Sequence, residues 1–517
     1  MNKRRWLVGL VLAVSLVVTG GVLMLVSSGR ANGARVDPGL LQQLCSEEWY
    51  TVSLADHRAG YWYTKAHLEP VEGAQTFVSY TEAVITVTAY GQVASVKLTL
   101  TEWTDDQLQP FRYHMFVDQL GQTRTVDAER NGDELRVATK MAGRTTTKTL
   151  TLDGKFGSEA EVALRALRGE LKQGDKFSIT IFNPETAELD ENVVEVKERQ
   201  RRDTLDGPQD LLRVDVTSQS LGMATIMWIN PQGVAEEMVM PALLNARMAR
   251  VTEQDALAEA SPLTISGKVD VAQDLGDPAG VAELKLAVQS TSQPVADILP
   301  VTHRQTLEPG ASAYAATLTI APAKAPQGPT ATLPIQDPQV ADCLRATEFI
   351  QSDDPALLGK AQEIVGGEKD AWKAACAIRK WVYDNVKRKD SYPAPITAKE
   401  VLEGLEGDCS EHAMLFVGLA RAAGIPSKFA AGLVYTRGAF WYHAWNEVYV
   451  GNGVWIAVDP TWDEPVADAT HITLGEGAMD AVSFCRVCLA TGRSMGNLKL
   501  AVVEYTDRAG EVHKPAP

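Results

Sequence analysis

The chain has 517 residues, 45% hydrophobic and 22% charged, which is ordinary for globular protein and long enough for two to four domains. A net charge of −17 and an isoelectric point near 5.0 argue against a nucleic-acid partner and against a polybasic membrane patch.

The first predicted element is an anchor. Lys3-Arg4-Arg5 precedes an uncharged apolar run over residues 6–26. That run has the length of a membrane span and exceeds the apolar part of a usual signal peptide. Basic residues before the run predict an N-terminus in the cytoplasm and the bulk of the chain outside it. The expectation is a single-pass signal anchor of the cytoplasmic membrane within residues 1–35. Cleavage near Ala31-Asn32-Gly33 is the alternative. Cys45 stands too far beyond the run for a lipoprotein anchor.

Residues 36–260 read as a β-rich domain with one helix. Val96, Leu98 and Leu100 alternate with Lys97, Thr99 and Thr101, the period of a half-buried strand. Asn230-Pro231-Gln232-Gly233 separates two further strands as a hairpin. Ser158 and Glu161 form a capping box ahead of a Leu164, Leu167, Leu171 stripe. Many antiparallel strands and one helix predict a curved sheet or half-barrel, serving as spacer or recognition domain. His57, His67 and His114 have no ligand spacing.

Residues 261–340 predict a small β module, with strands at Val281 to Val288 and Tyr314 to Ile320, and a proline-rich linker from Ala321 to Pro329. Residues 341–517 open with helices. Asp354-Pro355 is an N-cap with proline at the first turn, Asp370 to Val386 is amphipathic, and Thr397 with Glu400 makes another capping box. Leu498 to Tyr505 reads as a closing strand. The predicted class is α+β, with helices on an antiparallel sheet at the C-terminal end.

Three residues in this last region suit thiol chemistry. Gly407-Asp408 is a helix entry, and Ala413, Phe416, Val417 and Ala420 mark one helical face after it. Cys409 then falls in the first turn, where unpaired N–H groups favour a thiolate. His443 lies in a strand from Trp441 to Val450, on one face with Trp445 and Glu447. A Gly451-Asn452-Gly453 turn returns the chain so that Asp459 comes back near His443. A carboxylate there would orient the ring and stabilise its charged form. Cys376, in an apolar run, reads as packing.

Gly407-Asp408-Cys409, Tyr442-His443-Ala444-Trp445 and Val458-Asp459-Pro460-Thr461-Trp462, in this order, resemble the transglutaminase-like superfamily, a branch with a papain-like core. The resemblance is best from Thr397 to Pro465 and extends to bacterial membrane-anchored members. It implies Cys409 as nucleophile, His443 as general base and acid, and Asp459 as orienting acid. Animal crosslinking members carry a tryptophan before the nucleophile helix that helps bind the oxyanion. The corresponding stretch from Tyr392 has none, which leaves the Cys409 N–H and Tyr392 as candidate donors, with Trp445 a further candidate contact. The resemblance implies an amide or peptide substrate and an acyl-thioester, with hydrolysis or deamidation preferred to transamidation, and no cofactor. No calcium loop is present in the sequence. The competing function is a binding or scaffold protein of the cell envelope with little turnover. A zinc site from Cys409, His412 and His443 is the metal alternative. Cys485-Arg486-Val487-Cys488 fits packing, a strained disulfide or half a zinc site. Oligomeric state is left open.

Overall fold

A computed structural model describes residues 27–28, 35–71, 73–89, 92–119, 121–154, 156–261, 263–388 and 397–514. The expected anchor, residues 6–26, and Tyr392 lie outside these. Among the described residues no helix is long and apolar enough to cross a membrane. The chain divides into two compact units that meet in sequence at Thr264/Ile265.

The N-terminal unit is built on a 15-stranded sheet. Its path starts at Lys176–Asn183, runs through successive hairpins to Ala246–Val251, crosses to Ser46–Leu54, and continues to Arg144–Thr151. Alternation explains the strands: Val96 and Leu98 are completely buried between exposed or half-buried neighbours. The Asn230 hairpin forms, with Asn230 Oδ1 accepting from the Gln232 and Val234 N–H groups at 3.0 Å. The Ser158 helix spans Ala160–Leu167. It stops short of Leu171 because Gly169 takes a positive φ of 66°. A further helix, Pro38–Leu44, has an Asp37 cap and a proline start, and packs Leu41 and Leu44 with Phe77, Leu108 and Leu164.

The C-terminal unit holds helices Pro355–Val365, Ala371–Asn385, Ala398–Gly404, Cys409–Ala422 and Ala481–Ser494. Its first sheet places Lys268–Asp270, Ala439–Tyr449, Ser427–Thr436 and Ile472–Gly477 side by side, with Trp455–Val458 also on Ala439–Tyr449. Its second sheet sets Gln305–Pro309, Ala315–Ile320, Val281–Ser290 and Leu498–Asp507 in order. Strand pairing therefore crosses the boundary expected near residue 340. Leu286 of the supposed separate module pairs with Val502 of the closing strand. The hydropathy of each strand was readable locally, whereas its partner lies more than two hundred residues away. None of the six cysteines forms a disulfide, and Cys485 and Cys488 are buried on the Ala481–Ser494 helix.

Candidate active site

Cys409 is the first residue of the Cys409–Ala422 helix and is 6% exposed. Asp408 caps that helix: its Oδ1 accepts from the Ser410 N–H at 3.0 Å, and Glu411 Oε2 accepts from the Asp408 N–H at 2.7 Å. Burial, then the neighbouring Asp408, pushes the Glu411 carboxyl well above the usual range. Glu411 closes the cap as a buried acid held towards its protonated form. Gly407 makes room for it, since a Cβ there would meet Glu411 Cβ at 2.3 Å. The predicted face of Ala413, Phe416, Val417 and Ala420 is completely buried. His412 donates from Nδ1 to the Asp408 carbonyl at 2.5 Å, so it belongs to the helix start. Neither Cys409 nor His412 joins a cluster of three metal-type side chains among the described residues, which removes the support for the zinc alternative.

His443 arrives on Ala439–Tyr449. From the same strand Asn446 donates to the Ala413 carbonyl at 3.0 Å and ties the strand to the Cys409 helix. The Gly451-Asn452-Gly453 turn has positive φ at all three residues, and the chain returns as Trp455–Val458. Asp459 follows directly, and its Oδ2 lies 2.6 Å from His443 Nε2. Both side chains are buried, at 7% and 1% exposure. Asp459 Oδ1 accepts from the Thr461 N–H at 2.7 Å and from Thr461 Oγ1 at 2.5 Å. Burial alone would raise this carboxyl, but His443 and His471 outweigh it and hold it well below the usual range.

Sequence reasoning missed the groups around this pair. Trp462 lies parallel to the imidazole at 5.0 Å, and its carbonyl accepts from Arg379 at 2.6 Å. His471 is completely buried, with Nε2 3.3 Å from Asp459 Oδ2 and Nδ1 3.1 Å from Asp468 Oδ1. Burial opposes a charge on His471, yet Asp468 and Asp459 raise it to about 9. Asp468 also accepts from Thr470 N–H and Oγ1, repeating the local pattern of Asp459 and Thr461. Two Asp-x-Thr triplets nine residues apart were the available signal. His443, Asp459 and His471 offer atoms within 4.8 Å of one another. Their contacts form a hydrogen-bonded set, with both rings facing one carboxylate oxygen. Trp445 is fully buried, parallel to His443 at 6.3 Å. A ring with no exposed surface supports the imidazole from within, which corrects the expectation that it touches substrate.

Glu447, two residues further along the strand, is almost fully buried, with His303 Nε2 3.4 Å from its carboxyl. Burial pushes this acid up to about 8 despite Arg304 nearby. Unfolding above its ordinary range, about 4.3, releases the proton, so its contribution to stability falls as pH rises from there towards 8. Glu447→Gln should therefore be nearly neutral at pH 4 and stabilising by roughly 3 kcal/mol at pH 7. Melting curves of both proteins across this range test it; a pH-independent difference would contradict the assignment.

Residues 359–460 match the family model described as the transglutaminase-like superfamily. This stretch is similar to a transglutaminase-like core. It contains Cys409, His443 and Asp459 and ends before Asp468 and His471. No curated protein matches the chain. Among solved structures, similarity is found to a candidate cysteine protease from Cytophaga hutchinsonii, with 16% identity, 46% of this chain and 88% of that chain covered, and a TM-score of 0.31. A β-barrel-like protein of a domain of unknown function from Brucella abortus has 14% identity over 40% of this chain and 95% of that one, with a TM-score of 0.32. A candidate protease from Parabacteroides distasonis has 13% identity over 69% of each chain, with a TM-score of 0.17.

Proposed function

We propose that the transglutaminase-like core is a thiol enzyme that cleaves amide or peptide bonds through an acyl-thioester on Cys409. The observation that carries this reading is the 2.6 Å contact between His443 Nε2 and Asp459, in a core whose nucleophile-type residue opens a capped helix. A carboxylate accepting at Nε2 fixes the proton there and leaves Nδ1 to act as base. The thiol proton passes to Nδ1 as sulfur bonds to the carbonyl carbon. The C–N bond then breaks, and the amine leaves with the proton returned by the imidazolium. Water, deprotonated by the same ring, releases the carboxylic acid and restores the thiol. The N–H of Cys409 is the candidate donor to the oxyanion. Hydrolysis is preferred over transfer to an amine, and a protein or peptide is the substrate class. Nothing in these steps needs a cofactor.

The location proposed is the outer side of the cytoplasmic membrane, tethered through residues 6–26. The basic cluster and the uncharged run support it.

Labelling tests the chemistry. With iodoacetamide at pH 6.5 and peptide mapping, Cys409 should react at least tenfold faster than the other five cysteines. His443→Ala should abolish that advantage. Mass spectrometry of a peptide and amine mixture, with Cys409→Ala as control, should then show a cut bond or a carboxamide turned to acid. Labelling of Cys409 at the rate of an ordinary thiol would end the enzyme reading.

A further inference from the structure

The His471 imidazole is completely buried, and the steps above do not use it. Its two nitrogens face two different carboxylates, Asp468 at 3.1 Å and Asp459 at 3.3 Å. Donation to both requires a proton on each nitrogen, and a ring with two N–H groups is a cation. Trp445 and Trp462 stand edge-on to it at 5.2 and 5.3 Å and exclude water. The charged or titratable groups around it are Asp459 from the loop after Trp455–Val458, Asp468 from its own turn, His443 from the strand, and more distantly Glu464 and Arg304. Ring centroids of His443 and His471 are 5.9 Å apart. Arg304 donates to the Asp468 carbonyl at 2.5 Å, and Glu464 feels both Asp468 and His471. Asp459 Oδ2 is thus shared between two rings, while Oδ1 is occupied by Thr461.

We propose that His471 is a positioning residue for the Cys409–His443 pair: a buried cation, clamped by Asp468, that fixes the Asp459 carboxylate and sets the field in which the pair ionises. This rests on the thiol-enzyme reading of the core. Without His471, the Asp459 and Asp468 carboxylates lose the ring that bridges them. With it, one anion is neutralised and Asp459 keeps a fixed direction. The clamp makes no contact with substrate.

The role has a signature that mere packing lacks. Removing a fixed cation favours the protonated form of every neighbouring group. The bell-shaped rate of Cys409 labelling by iodoacetate should therefore shift as a whole in His471→Gln, both limbs moving to higher pH by about one unit. Loss of orientation alone weakens the imidazolium, so the acid limb rises and the alkaline limb falls. Appearance of that narrowing in His471→Gln would overturn the proposal. A measurement independent of that variant's folding uses the full-length Cys409→Ala protein, where no thiolate holds His443 charged. With histidine-selective nitrogen labelling, one of the eight imidazoles should remain doubly protonated at pH 8 by NMR. Eight neutral rings would overturn the proposal and leave the thiol-enzyme reading standing. Ordinary labelling kinetics of Cys409 in the unaltered protein would overturn that earlier reading instead.

Discussion

Asp459→Asn should lower the amide-cleaving rate by on the order of a thousandfold in a protein that still folds. The reason is the division of labour between the two carboxylate oxygens. Oδ1 accepts two hydrogen bonds from Thr461, so the amide oxygen of asparagine takes that side. Its NH₂ group then replaces Oδ2 and points donors at His443 Nε2. To avoid two donors meeting, the imidazole must move its proton to Nδ1, which removes the base from the thiol. The variant also withdraws one of the two acceptors of His471. The check is kcat/KM on a cleaved peptide beside a melting curve. A loss below tenfold with normal folding would remove Asp459 from the mechanism.

Gly432→Ala is the second large effect, and it acts on stability. Gly432 lies directly across from His443 in the sheet, with Thr473 on its other side. A Cβ at this position would stand 1.9 Å from the Ile472 carbonyl oxygen and 2.7 Å from the Trp445 indole. The first obstacle is backbone and the second a fully buried ring, so neither can swing away. Relief requires the Ser427–Thr436 and Ile472–Gly477 strands to part, with loss of ladder bonds and of packing under His443. A cost of about 4 kcal/mol or more is expected, at the upper end for single substitutions. Urea unfolding followed by tryptophan fluorescence measures it, and a cost below 1 kcal/mol would mean that these strands separate freely.

Much of the site was legible because its signals are short-range. Asp408 announces a cap one residue before Cys409, and Gly451-Asn452-Gly453 announces the return that carries Asp459 to His443. The Asp-x-Thr triplets at Asp459 and Asp468 are equally local, yet only the fold reveals that they share a histidine. What escaped was set by distant pairing. Glu447 alternates with its neighbours as any strand residue does, and its raised acid follows from burial under another part of the chain, against the pull of Arg304. Trp445 has the flanks of an active-site aromatic, but its depth is fixed by the close approach of Gly432. In the N-terminal unit, Asp37-Pro38 carries the same start signal as Asp354-Pro355. It goes unseen because the helix it opens is only seven residues long.

The pairing of Val281–Ser290 with Leu498–Asp507 bears on how this molecule can be trimmed. Gln305 donates to the Thr473 carbonyl and accepts from its N–H, each at 2.9 Å, and Arg304 reaches the turn that holds His471. A clone cut to the matched residues 359–460, or begun at 341, would discard these supports and bare the edge of the closing strand. The smallest portable version of the chemistry should start upstream of Lys268 and retain Asp507.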